Sequence, residues 1–387
     1  MLTQIINGRI LTPQGWVEDG SVLISDGRIL EVTNSDLAVI GATVIDAKGM
    51  NIVPGFVAMH CHGAEGHNFV EATEEAFQAG VHGHLIHGAT TVFPTLTSTT
   101  FETIRKAVAL CEEQMKKNPV IGGLHIEGPY LSHRMGDKQW KDVIKDPDPE
   151  EYKTLVEQTS CIKRWDISPE LSGAHEFARY MTSKGILTAI SHTEAEYDEI
   201  REAFEAGFTH AAHFYNAMPG FHKRREYKYE GTVESVYLID DMTVEVIADG
   251  QHLPATILKL VYKLKGVDRT CLVTDAVKYA AYEGEVDDDR YMVEHGVCKL
   301  VDHSSLAGSL ATMDLLVQTM VQKAHIPLED AVRMASQTPA RIIGIDDRKG
   351  ALERGKDADI VILDDQCKVR CVFSMGHIVE GTNTMNH

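Results

Sequence analysis

A chain of 387 residues that is 43% hydrophobic and 24% charged is too apolar for a disordered protein and too evenly mixed for a fibrous one. Its 57 Asp and Glu residues outnumber its 37 Lys and Arg residues, and the formal charge of −20 repels nucleic-acid phosphates and anionic lipids. We therefore expect a large globular protein that has no nucleic-acid partner.

Neither membrane segments nor targeting signals are evident in the sequence. No run approaches the roughly 18 uninterrupted apolar residues that a membrane helix needs, and residues 1–9 lack the basic start and apolar core of a signal peptide. The seven cysteines are scattered and odd in number, which argues against a disulfide framework. We expect a cytoplasmic protein without membrane association.

The two chain ends share the alternating pattern of β-strands. Near the N-terminus it covers residues 4–10, 21–24 and 28–32, with hairpin-turn signals at Asn7-Gly8 and Asp26-Gly27. It returns at residues 358–363 and 369–379. We predict that residues 1–54 and 350–387 together form a small discontinuous β-sandwich domain beside a central domain of residues 55–349.

The central region repeats short apolar runs, each followed by a segment of helical period. This is the pattern of an α/β protein with a (β/α)8 TIM barrel, in which the C-terminal strand ends build the active site. The eight runs are Phe56–His60, Ala89–Thr95, Val120–Glu127, Ile162–Ser168, Ile186–His192, Phe208–Phe214, Met242–Ala248 and Arg269–Asp275.

Five of these runs end in imidazole or carboxylate side chains. A single such residue is more often a buried histidine or a helix cap, but five at equivalent strand ends favour a functional site. Neutral imidazoles with a carboxylate are ligands of Zn²⁺ or Fe²⁺. The side chains concerned are His60 with His62, His125 with Glu127, His192, His213 and Asp275.

Two strand-end motifs resemble those of a known enzyme family. His60 and His62 are two apart on a strand, so both face one side, and with the preceding Pro54-Gly55-Phe56 they resemble the first-strand metal motif of the amidohydrolase superfamily. His125-Ile126-Glu127-Gly128-Pro129-Tyr130 resembles the third-strand motif of the N-acetylglucosamine-6-phosphate deacetylase family. Further similar segments are Ser191-His192-Thr193, His213-Phe214-Tyr215-Asn216-Ala217-Met218, Ala248-Asp249-Gly250-Gln251-His252, Leu272-Val273-Thr274-Asp275-Ala276 and Leu306-Ala307-Gly308-Ser309.

The resemblance implies metal-dependent hydrolysis of the acetamide of N-acetylglucosamine 6-phosphate to glucosamine 6-phosphate and acetate. One or two divalent ions, Zn or Fe, would be the cofactor. Glu127, His192 and His213 would hold the principal ion, and the His60–His62 pair could hold a second one. Asp275 would act as general base and then general acid, with a helix N-cap as the alternative reading of that residue.

The resemblance also implies a substrate pocket and a homodimer. Phosphate would contact His252 and either Arg224 or Arg225 in the one concentrated basic run, which we expect to be a loop and which alone could be a solvated stretch. Nearby Tyr227 and Tyr229 are expected to pack in the core. Asp137 departs from the family pattern and would place a carboxylate near the sugar. The sugar-contact positions are Asn216, Ala217, Leu306, Ala307 and Gly308.

The sequence leaves two alternative functions open and excludes a third. A related amidohydrolase could act on another amide, such as an N-acetylgalactosamine 6-phosphate or an N-acyl amino acid. A catalytically silent barrel could serve binding, although the complete set of candidate ligands together with Asp275 argues against it. A phosphate-cradling nucleotide enzyme is excluded because the sequence contains no Gly-x-x-x-x-Gly-Lys-Ser/Thr segment.

Overall fold

The computed structural model describes residues 2–35, 39–135 and 140–385. Its first strands are β1 (Leu2–Thr12), β2 (Gly15–Ser25), β3 (Arg28–Thr33), β4 (Thr43–Asp46) and β5 (Asn51–Pro54). The middle of the chain contributes β6 (Phe56–Cys61), β7 (Gly63–Ala64), β8 (His67–Asn68), β9 (Ala89–Leu96), β10 (Leu124–Glu127), β11 (Ile162–Ile167), β12 (Leu187–Ile190), β13 (Phe208–Ala211), β14 (His222–Arg224), β15 (Tyr227–Tyr229), β16 (Thr243–Ile247) and β17 (Thr270–Val273).

The remaining strands lie in the last hundred residues. They are β18 (Tyr291–Glu294), β19 (Val297–Leu300), β20 (Leu306–Ser309), β21 (Ile360–Leu363), β22 (Val369–Ser374) and β23 (His377–Ile378). The α-helices are α1 (Glu74–Leu85), α2 (Phe101–Lys117), α3 (Pro149–Glu157), α4 (Ala174–Ser183), α5 (Tyr197–Ala206), α6 (Thr232–Leu238), α7 (Ala255–Lys265), α8 (Met313–Gln322), α9 (Leu328–Ala335) and α10 (Gln337–Ile342).

Eight strands form a parallel sheet in the order β17-β16-β13-β12-β11-β10-β9-β6. Each predicted run overlaps one of them, with the ends of β6 and β9 one residue beyond the runs, and the (β/α)8 barrel predicted from the sequence is confirmed. The two end strands meet through backbone hydrogen bonds just beyond their last residues: His62 N donates to Ala276 O at 2.7 Å, and Asp275 N donates to His60 O at 3.1 Å. The barrel is therefore joined at the end that carries the candidate site.

The barrel strands are continuous apolar runs because both of their faces are buried. All residues of β6, β9, β10 and β17 are buried, and so are three charged residues on β11 and β16: Arg164, Asp166 and Glu245. Buried charges are tolerated where they are paired and hydrogen-bonded. These three pair with one another.

Strands from both chain ends share one sheet, in the order β23-β22-β21-β5-β1-β2-β3, with β4 paired to β1. The link between the two ends is the antiparallel pairing of β21 with β5, and the predicted sharing of a sheet is confirmed. This sheet has its own apolar core, which includes Ile5, Ile24, Ile360 and Phe373. The boundaries of the two predicted domains stay a prediction.

One of the two predicted hairpin turns is wrong. Asp26-Gly27 does connect β2 to β3, but Asn7-Gly8 lies inside β1, where the register with β2 shifts as in a β-bulge. Asn7 has a φ of 55°, and a Cβ at Gly8 would lie 2.7 Å from the carbonyl oxygen of Met50. The glycine is needed for a close backbone approach rather than for a turn.

The basic run is a two-stranded hairpin of β14 and β15 and not an irregular loop. The expected core packing of the nearby tyrosines is also wrong for Tyr227, which is 63% exposed. Tyr229 instead lies under the guanidinium of Arg224, 4.6 Å from the ring centre. Within the three described ranges, no helix combines the length and apolarity needed to cross a membrane.

Candidate metal centre and active site

Glu127, His192 and His213 converge at the C-terminal ends of β10, β12 and β13. Glu127 Oε1 lies 3.0 Å from His213 Nε2 and 3.5 Å from His192 Nε2. One ligand atom from each of the three lies within 4.8 Å of the others. The sequence prediction that these side chains come together is therefore met by the geometry.

Both histidines are oriented by their second ring nitrogen. His192 Nδ1 lies 3.0 Å from Met135 O, and His213 Nδ1 lies 3.1 Å from Asn216 O. A carbonyl oxygen can only accept, so each Nδ1 carries a proton, and Nε2 is the ring nitrogen that faces Glu127 and is left to ligate an ion. This arrangement of an outer acceptor behind a ligating imidazole is typical of metal sites.

A second cluster adjoins the first. Asp275 Oδ1 lies 3.1 Å from His62 Nε2 and 3.5 Å from His60 Nε2, and these three residues also form a potential ligand group. His62 Nε2 is in addition 3.3 Å from Glu127 Oε2. The two clusters therefore share one pocket, with Glu127 between the histidines of both.

The pocket is built to hold positive charge. Burial opposes ionisation of Glu127, but hydrogen bonds from His192, His213 and His62 keep its pKa well below the usual range. Burial likewise would lower the pKa of His62, yet its hydrogen bonds to Asp275 and Glu127 raise that pKa to about 10. Ionised carboxylates facing imidazoles attract protons or a divalent cation, so metal binding would release protons.

A left-handed backbone occurs at both candidate histidine ligands of the Glu127 cluster and at Asp275: φ is 46° at His192, 27° at His213 and 47° at Asp275. Non-glycine residues rarely adopt this conformation, which costs about 1–3 kcal/mol and persists only where the surroundings impose it. The carbonyl of His192 accepts from Ser168 Oγ at 2.8 Å, and the carbonyl of Asp275 accepts from Ser309 N at 2.9 Å. The strained turns aim these side chains back over the strand ends.

Sequence reasoning missed the charged residues that support the cluster. Glu245 Oε1 lies 2.6 Å from His60 Nδ1, and the same carboxylate pairs with Arg164, which also binds Asp166. Asp166 Oδ2 is 3.0 Å from His125 Nε2. The available signal was the presence of charged residues inside two predicted barrel strands, Arg164 and Asp166 in residues 162–168 and Glu245 in residues 242–248.

Four of the predicted sugar-contact positions flank the candidate ligands. Asn216 Nδ2 donates to His213 O at 3.1 Å, and Ala217 O accepts from Thr193 N at 3.1 Å. Ala307 and Gly308 lie on β20, whose end pairs with the backbone of Asp275 and Val277. A Cβ at Gly308, where φ is 76°, would lie 2.5 Å from Val277 Cγ1. Leu306 begins the same strand and is 39% exposed.

Two of the three residues predicted to bind phosphate, Arg224 and His252, already have acidic partners within the protein. Arg224 forms an ion pair with Glu196 on the stretch that follows His192, and Arg225 lies in the turn of the β14–β15 hairpin with a φ of 58°. His252 Nδ1 is 2.7 Å from Asp249 Oδ2. Asp137 lies outside the described residues.

The residues present suit a divalent ion. A carboxylate and two imidazoles with oriented Nε2 atoms are a donor set for Zn²⁺ or Fe²⁺, and three protein ligands leave a coordination position for water, as in catalytic sites. Glu127, His192 and His213 would hold the ion. The second group, of His60, His62 and Asp275, has the same donor chemistry.

Comparisons with known proteins identify the family of this chain. Residues 51–379 match the amidohydrolase family. A Lysinibacillus sphaericus N-acetylglucosamine-6-phosphate deacetylase is 30% identical to this chain, over 98% of each protein. The crystal structure of a Pasteurella multocida deacetylase of the same name superposes with a TM-score of 0.92 at 26% identity, and it covers 98% of this chain and 100% of the other.

A further solved structure contains a sugar phosphate. It is a mutant N-acetylglucosamine-6-phosphate deacetylase from Mycobacterium smegmatis in complex with N-acetyl-D-glucosamine 6-phosphate, with a TM-score of 0.90 and 28% identity over 97% of this chain and 99% of the other. The family resemblance predicted from the motifs is confirmed. The chain belongs to the metal-dependent amidohydrolase family and, within it, to the N-acetylglucosamine-6-phosphate deacetylases.

Proposed function

We propose that this protein hydrolyses the acetamide of N-acetylglucosamine 6-phosphate, releasing acetate and glucosamine 6-phosphate. The observation that carries the proposal is the pairing of a carboxylate–dihistidine cluster with a separate ionised carboxylate, Asp275, in one barrel-end pocket. Full-length similarity to deacetylases of this name supports the choice of substrate.

Glu127, His192 and His213 would hold the principal ion, which we expect to be Zn²⁺ or Fe²⁺. A divalent ion held there supplies Lewis-acid polarisation of the acetamide carbonyl and lowers the pKa of a water toward about 7. The outer acceptors Met135 O and Asn216 O keep the two imidazoles in the ligating tautomer. The protein's contribution to activating the water is to orient the two imidazoles that would hold the ion.

Asp275 would move the proton. Burial opposes its ionisation, but the hydrogen bond from His62 and the positive charge of His60 and His62 lower its pKa, so the carboxylate is ready to accept a proton. As the water oxygen bonds to the acetamide carbon, Asp275 takes the water's proton. As the C–N bond breaks, it delivers that proton to the leaving nitrogen. The helix N-cap reading of Asp275 is disfavoured because its side chain faces the two histidines.

The number of ions can be tested by replacing both His60 and His62 with Ala. If this pair and Asp275 hold a second ion, the bound metal should fall by about one equivalent per chain, because the Glu127 cluster keeps the other ion. Elemental analysis of the purified variant and wild type measures this. Unchanged stoichiometry would mean a one-metal enzyme, in which the pair only supports Asp275 and Glu127.

The substrate assignment is tested by acetate release from a small panel of sugars. The panel contains N-acetylglucosamine and N-acetylgalactosamine, each with and without a 6-phosphate. We expect the highest kcat/KM on N-acetylglucosamine 6-phosphate. A preference for the galactose epimer would move the assignment to a related deacetylase, and turnover of none of the four would reject it.

Phosphate recognition by Arg224, Arg225 and His252 is expected to appear in the same panel. Losing one charge-assisted contact to a desolvated phosphate costs about 2 kcal/mol, or about thirtyfold in kcat/KM, whereas the unphosphorylated sugar should be affected far less. Single Arg→Gln and His→Asn substitutions are compared on both substrates. Arg201→Gln on α5 is the matched control, because Arg201 is 43% exposed and, among the described residues, its ion pairs are with acidic residues of its own helix.

Equal slowing of both substrates in these variants would contradict phosphate recognition by the hairpin. A homodimer in which this hairpin serves a neighbouring subunit, and a cytoplasmic location, are also proposals. Mixing an Arg224 variant with an Asp275 variant tests the shared site. Recovered activity in the mixture requires subunits that exchange and sites built from two chains.

A further inference from the structure

Glu245, on β16, has five nitrogen atoms within hydrogen-bond distance of its one fully buried carboxylate. A carboxylate offers about four acceptor positions, so this one is saturated. The contacts to Oε1 come from His60 Nδ1 at 2.6 Å, His213 N at 3.0 Å and Arg164 Nη2 at 2.9 Å, and those to Oε2 come from Arg164 Nη1 at 2.5 Å and His210 Nε2 at 3.3 Å.

The contact with His213 is to its backbone and not to its ring. His213 has a φ of 27°, the smallest positive value among the site residues with a left-handed backbone. Such a conformation persists only where surrounding bonds impose it. The carboxylate of Glu245 accepts a hydrogen bond from the backbone N–H of His213 at 3.0 Å. The backbone carbonyl of Glu245 accepts one from the backbone N–H of Phe214, the residue after His213, at 2.8 Å. Both bonds fix the turn that aims His213 at Glu127.

The contact with His60 fixes a tautomer. With Nδ1 donating to Glu245, Nε2 is the nitrogen of His60 that faces the pocket, where it lies 3.3 Å from His62 Nε2 and 3.5 Å from Asp275 Oδ1. One buried carboxylate on β16 thus sets the geometry of a candidate ligand from each of the two clusters, although it belongs to neither.

Arg164 makes this arrangement electrostatically possible and supplies an internal comparison. Its guanidinium lies between two buried carboxylates, Glu245 and Asp166, and binds both with two hydrogen bonds. Asp166 contacts His125 at 3.0 Å, and the two form a third potential ligand group with His60 but are in neither the Glu127 group nor the Asp275 group. The two carboxylates therefore share burial and a charge partner but differ in what else they hold.

We propose that Glu245 is a positioning residue of the metal centre, which holds the backbone of His213 and the ring of His60 in their metal-ligating geometry. The proposal rests on the proposed function for its catalytic meaning, but its main readout is metal affinity. Glu245 would act through His213 and His60 and would not contact the substrate.

The experiment compares Glu245→Gln with Asp166→Asn. Each substitution removes one of the two carboxylates of Arg164 without changing side-chain size, so the loss of stability is matched. An amide oxygen accepts fewer bonds than a carboxylate, and its NH2 group would face N–H donors. Zn²⁺ affinity is measured by competition with a chromophoric chelator, together with Tm of the metal-free and Zn²⁺-loaded proteins.

We expect Glu245→Gln to weaken Zn²⁺ binding by about 10- to 100-fold, the effect typical of removing the outer partner of a ligating histidine. Both substitutions should lower the Tm of the metal-free protein by similar amounts. Asp166→Asn, however, should change Zn²⁺ affinity by less than about threefold. The same Glu245→Gln loss should persist in a His60→Ala background, because the bond to His213 N is independent of His60.

Equal losses of Zn²⁺ affinity in the two variants, in proportion to Tm, would overturn the proposal and make Glu245 a structural partner of Arg164. A loss that vanishes in the His60→Ala background would overturn the role at His213. If Glu245→Gln does not fold, Glu245→Asp takes its place, since it keeps the charge beside Arg164 and withdraws the carboxylate by one methylene. Wild type that binds Zn²⁺ but deacetylates no sugar would reject the proposed function alone.

Discussion

Asp275→Asn is expected to lower kcat/KM for deacetylation by at least about 10²-fold, the usual range for a lost general acid–base group. The amide cannot take a proton from water and return it to the leaving nitrogen. The principal ion should remain, because Glu127, His192 and His213 form a ligand group without Asp275. Acetate release and elemental analysis on the same preparation measure both quantities.

The control is Asp198→Asn, at a side chain that is 87% exposed at the start of α5. It should keep full activity. Near-normal turnover of the Asp275 variant would remove this residue from the mechanism. Loss of all bound metal in that variant would instead make Asp275 a ligand of the principal ion.

Glu127→Gln is expected to abolish binding of the principal ion. The kcat/KM for deacetylation should therefore fall by more than about 100-fold. Replacing a ligand should cost more than the 10- to 100-fold typical of outer partners, and Glu127 is the only carboxylate of its group. The neutral amide also ends the charge attraction that holds three imidazoles around it. Elemental analysis should show about one equivalent less metal per chain.

Excess Zn²⁺ separates this defect from that of Asp275→Asn. By mass action, a weakened site refills as free metal rises, so part of the Glu127→Gln activity should return. The Asp275 variant should not respond, because its ion is already bound. Glu113→Gln is the control, since Glu113 is 59% exposed on α2. Full metal retention in the Glu127 variant would contradict its assignment as a ligand.

The barrel could be predicted because each of its strands is indicated by the residue pattern of a short segment of the sequence. Each apolar run, such as residues 89–95 or 269–275, carries its own strand signal, and eight such runs in a row indicate the fold. The candidate ligands followed from the same reasoning, because side chains at the ends of parallel strands meet at one end of a barrel. His192, His213 and Asp275 could be named from position and residue type alone.

The supporting residues could not be predicted, because their meaning depends on contacts across the barrel. Glu245 and Arg164 are polar exceptions within apolar runs, and nothing in either run indicates that they pair with each other or with His60. The left-handed φ of His213 is equally hidden, since non-glycine residues rarely adopt it and tertiary bonds impose it here.

Turn chemistry was the least reliable local signal. Asn-Gly is the strongest short hairpin signal, yet Asn7-Gly8 forms a bulge because the neighbouring strand approaches Gly8 closely. The basic run was expected to be a loop, but Arg224 and Tyr227 pair across a short hairpin. Both errors arise where contacts distant in sequence, or cross-strand pairing, outweigh local preference.

The junction of the barrel between β6 and β17 has a consequence for how the enzyme becomes active during folding. The principal ligands lie on β10, β12 and β13, within four successive strands, whereas Asp275 reaches His60 and His62 only when the last barrel strand meets the first. Contacts between segments so far apart in the chain carry the larger loop-closure entropy and form more slowly. We therefore expect the proposed ion-binding residues to come together before Asp275 meets its two histidines, so that closure of the barrel completes the proposed site.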